Sequence, residues 1–123
     1  MAIHESGQMY LETIYILRQT KSFVRAIDVG EQMGYTKPSV SRAVGILKKN
    51  GYIIMDGSGH LYLTDEGRSV AEKTFERHRV LTKVFTKLGV SAGIAAEDAC
   101  KIEHVICDET FEAIKRFVAE HSD

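Results

Sequence analysis

The chain has 123 residues, 44% of them hydrophobic and 27% charged, with a formal net charge of −1. That usage fits one compact unit or two small ones and argues against a disordered chain. No apolar run is long enough to cross a bilayer, and Met1 to Gln8 lacks a basic stretch followed by an apolar one. The expectation is a soluble, cytoplasmic protein that does not enter membranes.

Taken in chain order, apolar periodicity predicts the elements. Met9, Tyr10, Leu11, Ile14, Ile16 and Leu17 make a broad helical stripe, giving a first helix from Gln8 to about Gln19. Arg25 to Met33 is a second, short helix with Ala26, Val29 and Met33 inward, closed by Gly34. Thr36 caps a third helix with Pro38 in its first turn, which runs to Asn50 and stops at Gly51. Tyr52 to Met55 and His60 to Thr64 are β-prone runs joined by Asp56-Gly57-Ser58-Gly59, a hairpin with a glycine-rich tip. Thr64 caps a long helix to about Leu88; a helix from Ala95 to Cys107 follows, and Asp108 caps a last one from Glu109 to His121. The expected fold is mainly α: a winged helix-turn-helix with a two-stranded wing over residues 1–72, then a helical segment over 73–123.

Charge is distributed unevenly. From Gln32 to Met55 there is no Asp or Glu, while Lys37, Arg42, Lys48 and Lys49 fall inside that window. A local basic patch on a neutral protein is an electrostatic footprint for nucleic acid, whereas a merely solvated helix face mixes both signs. On the third helix Val40, Val44 and Leu47 form the buried stripe, so Pro38, Arg42, Gly45 and Lys49 face the other way. Two cations, a glycine and no large apolar side chain suit a helix lying in a major groove.

Cys100, Glu103 and His104 stand at i, i+3 and i+4, so on a continuous helix a thiolate, a carboxylate and an imidazole share a face. That mixed set suits a divalent first-row transition ion. Taken alone it is a weak signal, because cysteine is often a small core residue and Glu-His an ordinary surface pair. Cys100 and Cys107, about 10 Å apart on such a helix, are too distant for a disulfide, and both are expected as free thiols. No HExxH helix or nucleophile elbow supports a metallohydrolase. The other alternative is a winged-helix regulator of a small organic ligand, with Met9, Cys100 and His104 lining a core.

Four blocks of sequence, however, occur in the order found in the diphtheria toxin repressor and manganese transport regulator family. Met9-Tyr10-Leu11-Glu12-Thr13-Ile14-Tyr15 resembles its first helix and Thr36-Lys37-Pro38-Ser39-Val40-Ser41-Arg42 its recognition helix. Arg77-His78-Arg79 resembles the ligand-bearing turn of its fourth helix, and Asp98 to Val105 its fifth. The resemblance implies a metal-dependent, DNA-binding repressor and not an enzyme. It acts as a homodimer on a palindromic operator in double-stranded DNA, with Thr36, Lys37, Pro38, Ser39, Ser41, Arg42 and Lys49 on the DNA-binding face. Met9, Cys100, Glu103 and His104 match the metal site of the iron branch. Of the ligand positions in the manganese branch, Glu12, His78, Glu103 and His104 agree in type, while Met9 and Cys100 replace carboxylates. The iron branch's ancillary site is broken, with Thr82 and Ala96 standing where it has a glutamate and a histidine. Softer donors at positions 9 and 100 lead to the expectation of Fe(II) as cofactor, with Mn(II) next. Glu12, three residues after Met9, would by itself be an exposed, solvated charge. His78, between Arg77 and Arg79, would by itself be a surface residue. His4, His60 and His121 lack partners at ligand spacing. The sequence as given ends before the family's additional β-barrel domain or further C-terminal helix, so regulation by those parts is not expected.

Overall fold

A computed structural model describes residues 5–121; His4 lies outside them. Eight elements follow in order: α1 (Glu5–Thr20), α2 (Ala26–Met33), α3 (Lys37–Lys49), β1 (Ile53–Met55), β2 (Leu61–Leu63), α4 (Asp65–Lys87), α5 (Ala92–Ile102) and α6 (Asp108–Glu120). The chain divides into two compact units, one ending at Glu72 and the other starting at Lys73, with α4 running through the boundary.

The first unit is a winged helix-turn-helix. Leu11, Ile14 and Leu17 of α1, Val29 of α2, Val40, Val44 and Leu47 of α3, Ile53 of β1, Leu61 of β2 and Ala71 of α4 share one buried core. Each fully buried aliphatic side chain there contributes about 1.5–3 kcal/mol. Gly34 ends α2 with φ 73°, donating its N–H to Gly30 O at 2.8 Å, and so turns the chain sharply into α3. Asp28 anchors the other end of α2 by accepting from the Arg25 N–H at 2.9 Å. That backbone bond is the leading reason its carboxyl titrates below the usual range.

β1 and β2 pair antiparallel, with Ile53 opposite Leu63 and Met55 opposite Leu61, and Ile53 and Leu61 turn into the core. Leu61 also donates its N–H to Val24 O at 2.7 Å, which ties the wing to the segment before α2. The Thr64 hydroxyl donates to Gly51 O at 2.7 Å and accepts from the Gly67 N–H at 3.1 Å, locking the start of α4 beneath the hairpin.

In the second unit Leu81 of α4, Ala95 and Ala99 of α5, and Phe111 and Val118 of α6 are buried. Buried among the polar residues of this unit are Thr74, Arg77 and Glu103. In this unit α5 starts at Ala92 and not at Ala95, and both boundaries of the α5–α6 turn also differ from the sequence expectation. α5 stops at Ile102 and does not continue to Cys107; beyond it Val105 donates its N–H to Ile102 O, three residues back, in a tightened turn. The N-cap of α6 is Cys107, not Asp108, which occupies the first helical position. Neither cysteine is in a disulfide, and both are exposed.

Gly67 is the tightest backbone approach in the fold, since a Cβ there would lie 2.0 Å from Tyr52 O. Gly67→Ala is expected to destabilise the first unit by about 3 kcal/mol in urea unfolding, through forced separation of α4 from the chain entering β1. A change below about 0.5 kcal/mol would contradict this packing.

Candidate nucleic-acid interface and metal centre

α3 is presented for contact. Its Thr36 cap accepts from the Ser39 N–H at 3.3 Å and donates its hydroxyl to Ser39 Oγ at 2.9 Å, which orders the first turn. Thr36, Lys37, Pro38, Ser39, Ser41, Arg42 and Lys49 are all exposed, as are Gly45 and Lys48, while Val40, Val44 and Leu47 hold the helix down. The outer face therefore offers guanidinium, ammonium and hydroxyl donors with little apolar bulk, the chemistry that phosphates and base edges require.

The wing is more ordered than its glycines suggest. Asp56 Oδ1 accepts from the N–H groups of Ser58 and His60, each at 2.9 Å, and Oδ2 meets His60 Nδ1 at 3.2 Å and the Tyr62 hydroxyl at 3.3 Å. These bonds, that of the His60 N–H foremost, hold the Asp56 carboxyl below the usual range. His60 stacks on Phe23 at 4.3 Å between ring centres. His60 thus has partners, Asp56 in the wing and Phe23 and Arg25 in the segment leading into α2; for the first, the Asp-Gly-Ser-Gly spacing, an Asx-turn pattern, was the available signal.

In the second unit the carboxylate of Glu103 is fully buried between two imidazoles. Its Oε2 lies 2.9 Å from Nδ1 of His78, on α4, and its Oε1 lies 3.3 Å from Nε2 of His104. The His104 side chain is 2% exposed and that of His78 30%. Oε1 makes no hydrogen bond among the described residues, the approach to His104 being misaligned for one. A buried carboxylate oxygen without a donor is costly, whereas a cation held jointly by carboxylate and imidazole removes the cost. One carboxylate and two imidazoles form a donor set that fits a divalent transition ion.

These residues reach one another because the chain turns at the end of α5. Glu103 is its C-cap, still donating its N–H to Ala99 O at 2.9 Å, and His104 follows in the turn. Of the anticipated triplet, Glu103 is buried while Cys100, on α5, is exposed. Met9 and Glu12 belong to α1 of the first unit. Met9 is half-buried, and Glu12 is buried at 8% exposure, not the solvated charge its spacing suggested. Thr82, where the ancillary glutamate would stand, turns its hydroxyl back to His78 O at 2.7 Å.

Sequence reasoning gave no role to Arg77, which is 7% exposed. It donates to the carbonyls of Glu103, at 3.2 Å, and Ile106, and pairs with Asp108. A lone arginine beside a histidine carries no sequence signal for such a contact.

Family models match both units. Residues 2–61 match the iron dependent repressor N-terminal DNA binding domain, and residues 64–122 match its metal binding and dimerisation domain. The chain belongs to the iron-dependent repressor family. That family consists of metal-dependent transcriptional repressors and not of enzymes. The transcriptional regulator MntR of Escherichia coli O6:H1 is 32% identical over 91% of this chain and 72% of its own length. The diphtheria toxin repressor of Corynebacterium diphtheriae is 27% identical over 85% of this chain and 47% of its own. Among solved structures, the manganese regulator SloR superposes with a TM-score of 0.79 at 25% identity, over 97% of this chain and 55% of that one. The chain thus spans about half the length of that structure and of the diphtheria toxin repressor. No helix among the described residues is long and apolar enough to cross a membrane.

Arg42→Ala is expected to weaken specific DNA binding by about 1–3 kcal/mol and to leave metal affinity unchanged, while Lys49→Ala lowers the salt slope by about one. Fluorescence anisotropy on a selected duplex at several salt concentrations measures both. Altered metal binding with intact DNA binding in either variant would contradict the assignment of the α3 face.

Proposed function

We propose that this repressor acts as a homodimer on a palindromic operator, in the cytoplasm, with a divalent transition metal as co-repressor. The observation that carries the reading is the buried Glu103 carboxylate between His78 and His104, in a segment matching a metal binding and dimerisation domain. Met9, Glu12 and Cys100 complete the proposed donor set through their family positions. The near-complete burial of the charged Glu12 supports its inclusion, since a solvated carboxylate has no need of burial.

When bound, the cation supplies charge that neutralises the buried carboxylates and draws their side chains into one fixed arrangement. Donors from α1 belong to the DNA-reading unit and those from α4 and α5 to the other. Coordination by both sets restricts the angles the two readers of a dimer adopt, favouring successive major grooves about 34 Å apart. Ordering the readers beforehand lowers the entropy lost on DNA binding. By linkage, operator DNA tightens metal binding by the same factor. Ligation also requires His104 to be neutral and Cys100 to be thiolate, so metal affinity falls as pH drops.

Fe(II) is the proposed activating ion, with Mn(II) next. The preference resides in the thioether of Met9 and the thiolate of Cys100, softer than the carboxylates of the manganese branch, and Mn(II) is the weakest binder of the divalent series. The His78, Glu103 and His104 trio is common to both choices.

Two variants test this under anaerobic conditions. His104→Ala is expected to abolish metal-dependent tightening on DNA while the apo protein keeps its helical content and dimeric state; a variant that still tightens would remove His104 from the ligand set. Met9→Asp with Cys100→Glu is expected to raise the Mn(II) response relative to Fe(II). An equal Mn(II) response in parent and double variant would show that these two residues do not set selectivity.

A further inference from the structure

Arg77 is a buried cation one residue before a proposed ligand, and the metal reading gives it no task. Its surroundings are specific. One guanidinium nitrogen donates to the carbonyls of Glu103 and Ile106, and the other pairs with Asp108 at the start of α6. The guanidinium carbon lies 5.2 Å from the centre of the Phe111 ring. Asp108 is held in turn by Lys73 Nζ at 2.9 Å, and this contact is the leading reason its carboxyl titrates low.

We propose that Arg77 is a positioning residue for the metal centre, setting the α5–α6 turn at the distance from α4 at which His78 and Glu103 meet. The inference rests on the reading of Glu103 and His104 as ligands. Residues 77 and 78 are neighbours on α4 and both hold residue 103, Arg77 by its main-chain carbonyl and His78 by its side chain. Two grips from one rigid helix fix both the position of the Glu103 backbone and the direction of its carboxylate. Of the two carbonyls that Arg77 takes, that of Glu103 is one left without a partner where α5 ends, and a cation is favourable there, while that of Ile106 lies in the turn before α6. Its charge is matched by Asp108, so it does not stand as an unpaired positive charge beside a cation site. Lysine would not replace it, because a single ammonium lacks the planar fork that reaches several acceptors together.

The test uses the full chain with cobalt(II) alone, reading affinity and the visible absorption of the saturated protein, with helical content monitored by circular dichroism. Arg77→Lys is expected to lose about 10- to 100-fold in Co(II) affinity, as removal of a supporting partner does, and to shift the visible bands while remaining helical. Asp108→Asn, at a side chain 70% exposed, loosens the same grip with little threat to folding and is expected to lose several-fold. Lys115→Met removes a separate 2.8 Å tie between α6 and Glu76 of α4 and is expected to bind as the parent does. Parent-like affinity and spectrum in Arg77→Lys would overturn the inference and leave the ligand reading standing. Should Arg77→Lys not fold, parent-like behaviour of Asp108→Asn would overturn it instead. A loss in Lys115→Met equal to that in Asp108→Asn would also overturn it, by showing general loosening. No Co(II) binding by the parent, or undiminished binding by His104→Ala, would sink the ligand reading and this inference with it.

Discussion

A carboxylate removed from water is the constraint on which the second unit depends. Glu103 is 1% exposed and carries a group whose charged form is strongly disfavoured in a protein interior unless paired. The surrounding structure answers that cost only in part: His78 meets one oxygen and Arg77 holds the backbone, while the oxygen facing His104 makes no hydrogen bond among the described residues. An apolar residue in the place of Glu103 would pack without any of these devices. The apolar interior of the unit consists of Leu81, Ala95, Ala99, Phe111 and Val118.

The first unit solves a different problem. A helix that reads DNA has to be firmly held on one side and bare on the other. The buried stripe of Val40, Val44 and Leu47 fixes α3, the left-handed Gly34 sets its angle to α2, and the Thr36 cap orders the turn that carries Lys37, Pro38 and Ser39. The wing follows the same logic on a smaller scale, with Asp56 replacing the packing that a four-residue glycine-rich tip lacks. The units are thus organised around opposite needs, an exposed basic face and a buried acidic group. The family's domains divide along those lines.

Most of the fold was legible in the sequence because periodicity and caps are local. The stripes of α1 and α3, Gly34, Thr36 and Thr64 each signal their role within one or two turns. The end of α5 was not legible. Ala95 to Cys107 has no proline or glycine to stop a helix, and the carbonyls of Glu103 and Ile106 beyond its end are taken by Arg77, far away in sequence. Glu103 is buried and Cys100 exposed, a difference that their i, i+3 spacing does not reveal. The burial of Glu12 was not legible from its spacing, because a single acidic residue on a helix gives no sign of tertiary burial. Spacing singled out Glu103 and His104 as candidate ligands, but His78 joined them only through resemblance, since it is far from Glu103 in sequence and meets it through tertiary structure alone.

The central claim, that Glu103 with His78 and His104 holds the regulatory ion, is tested most directly by anomalous diffraction from crystals of the metal-loaded protein at the absorption edge of the bound ion. The account predicts a peak about 2.0–2.3 Å from a Glu103 carboxylate oxygen and from an imidazole nitrogen of His104. A peak confined to exposed carboxylates, with the Glu103 carboxylate still directed only at its two histidines, would contradict it.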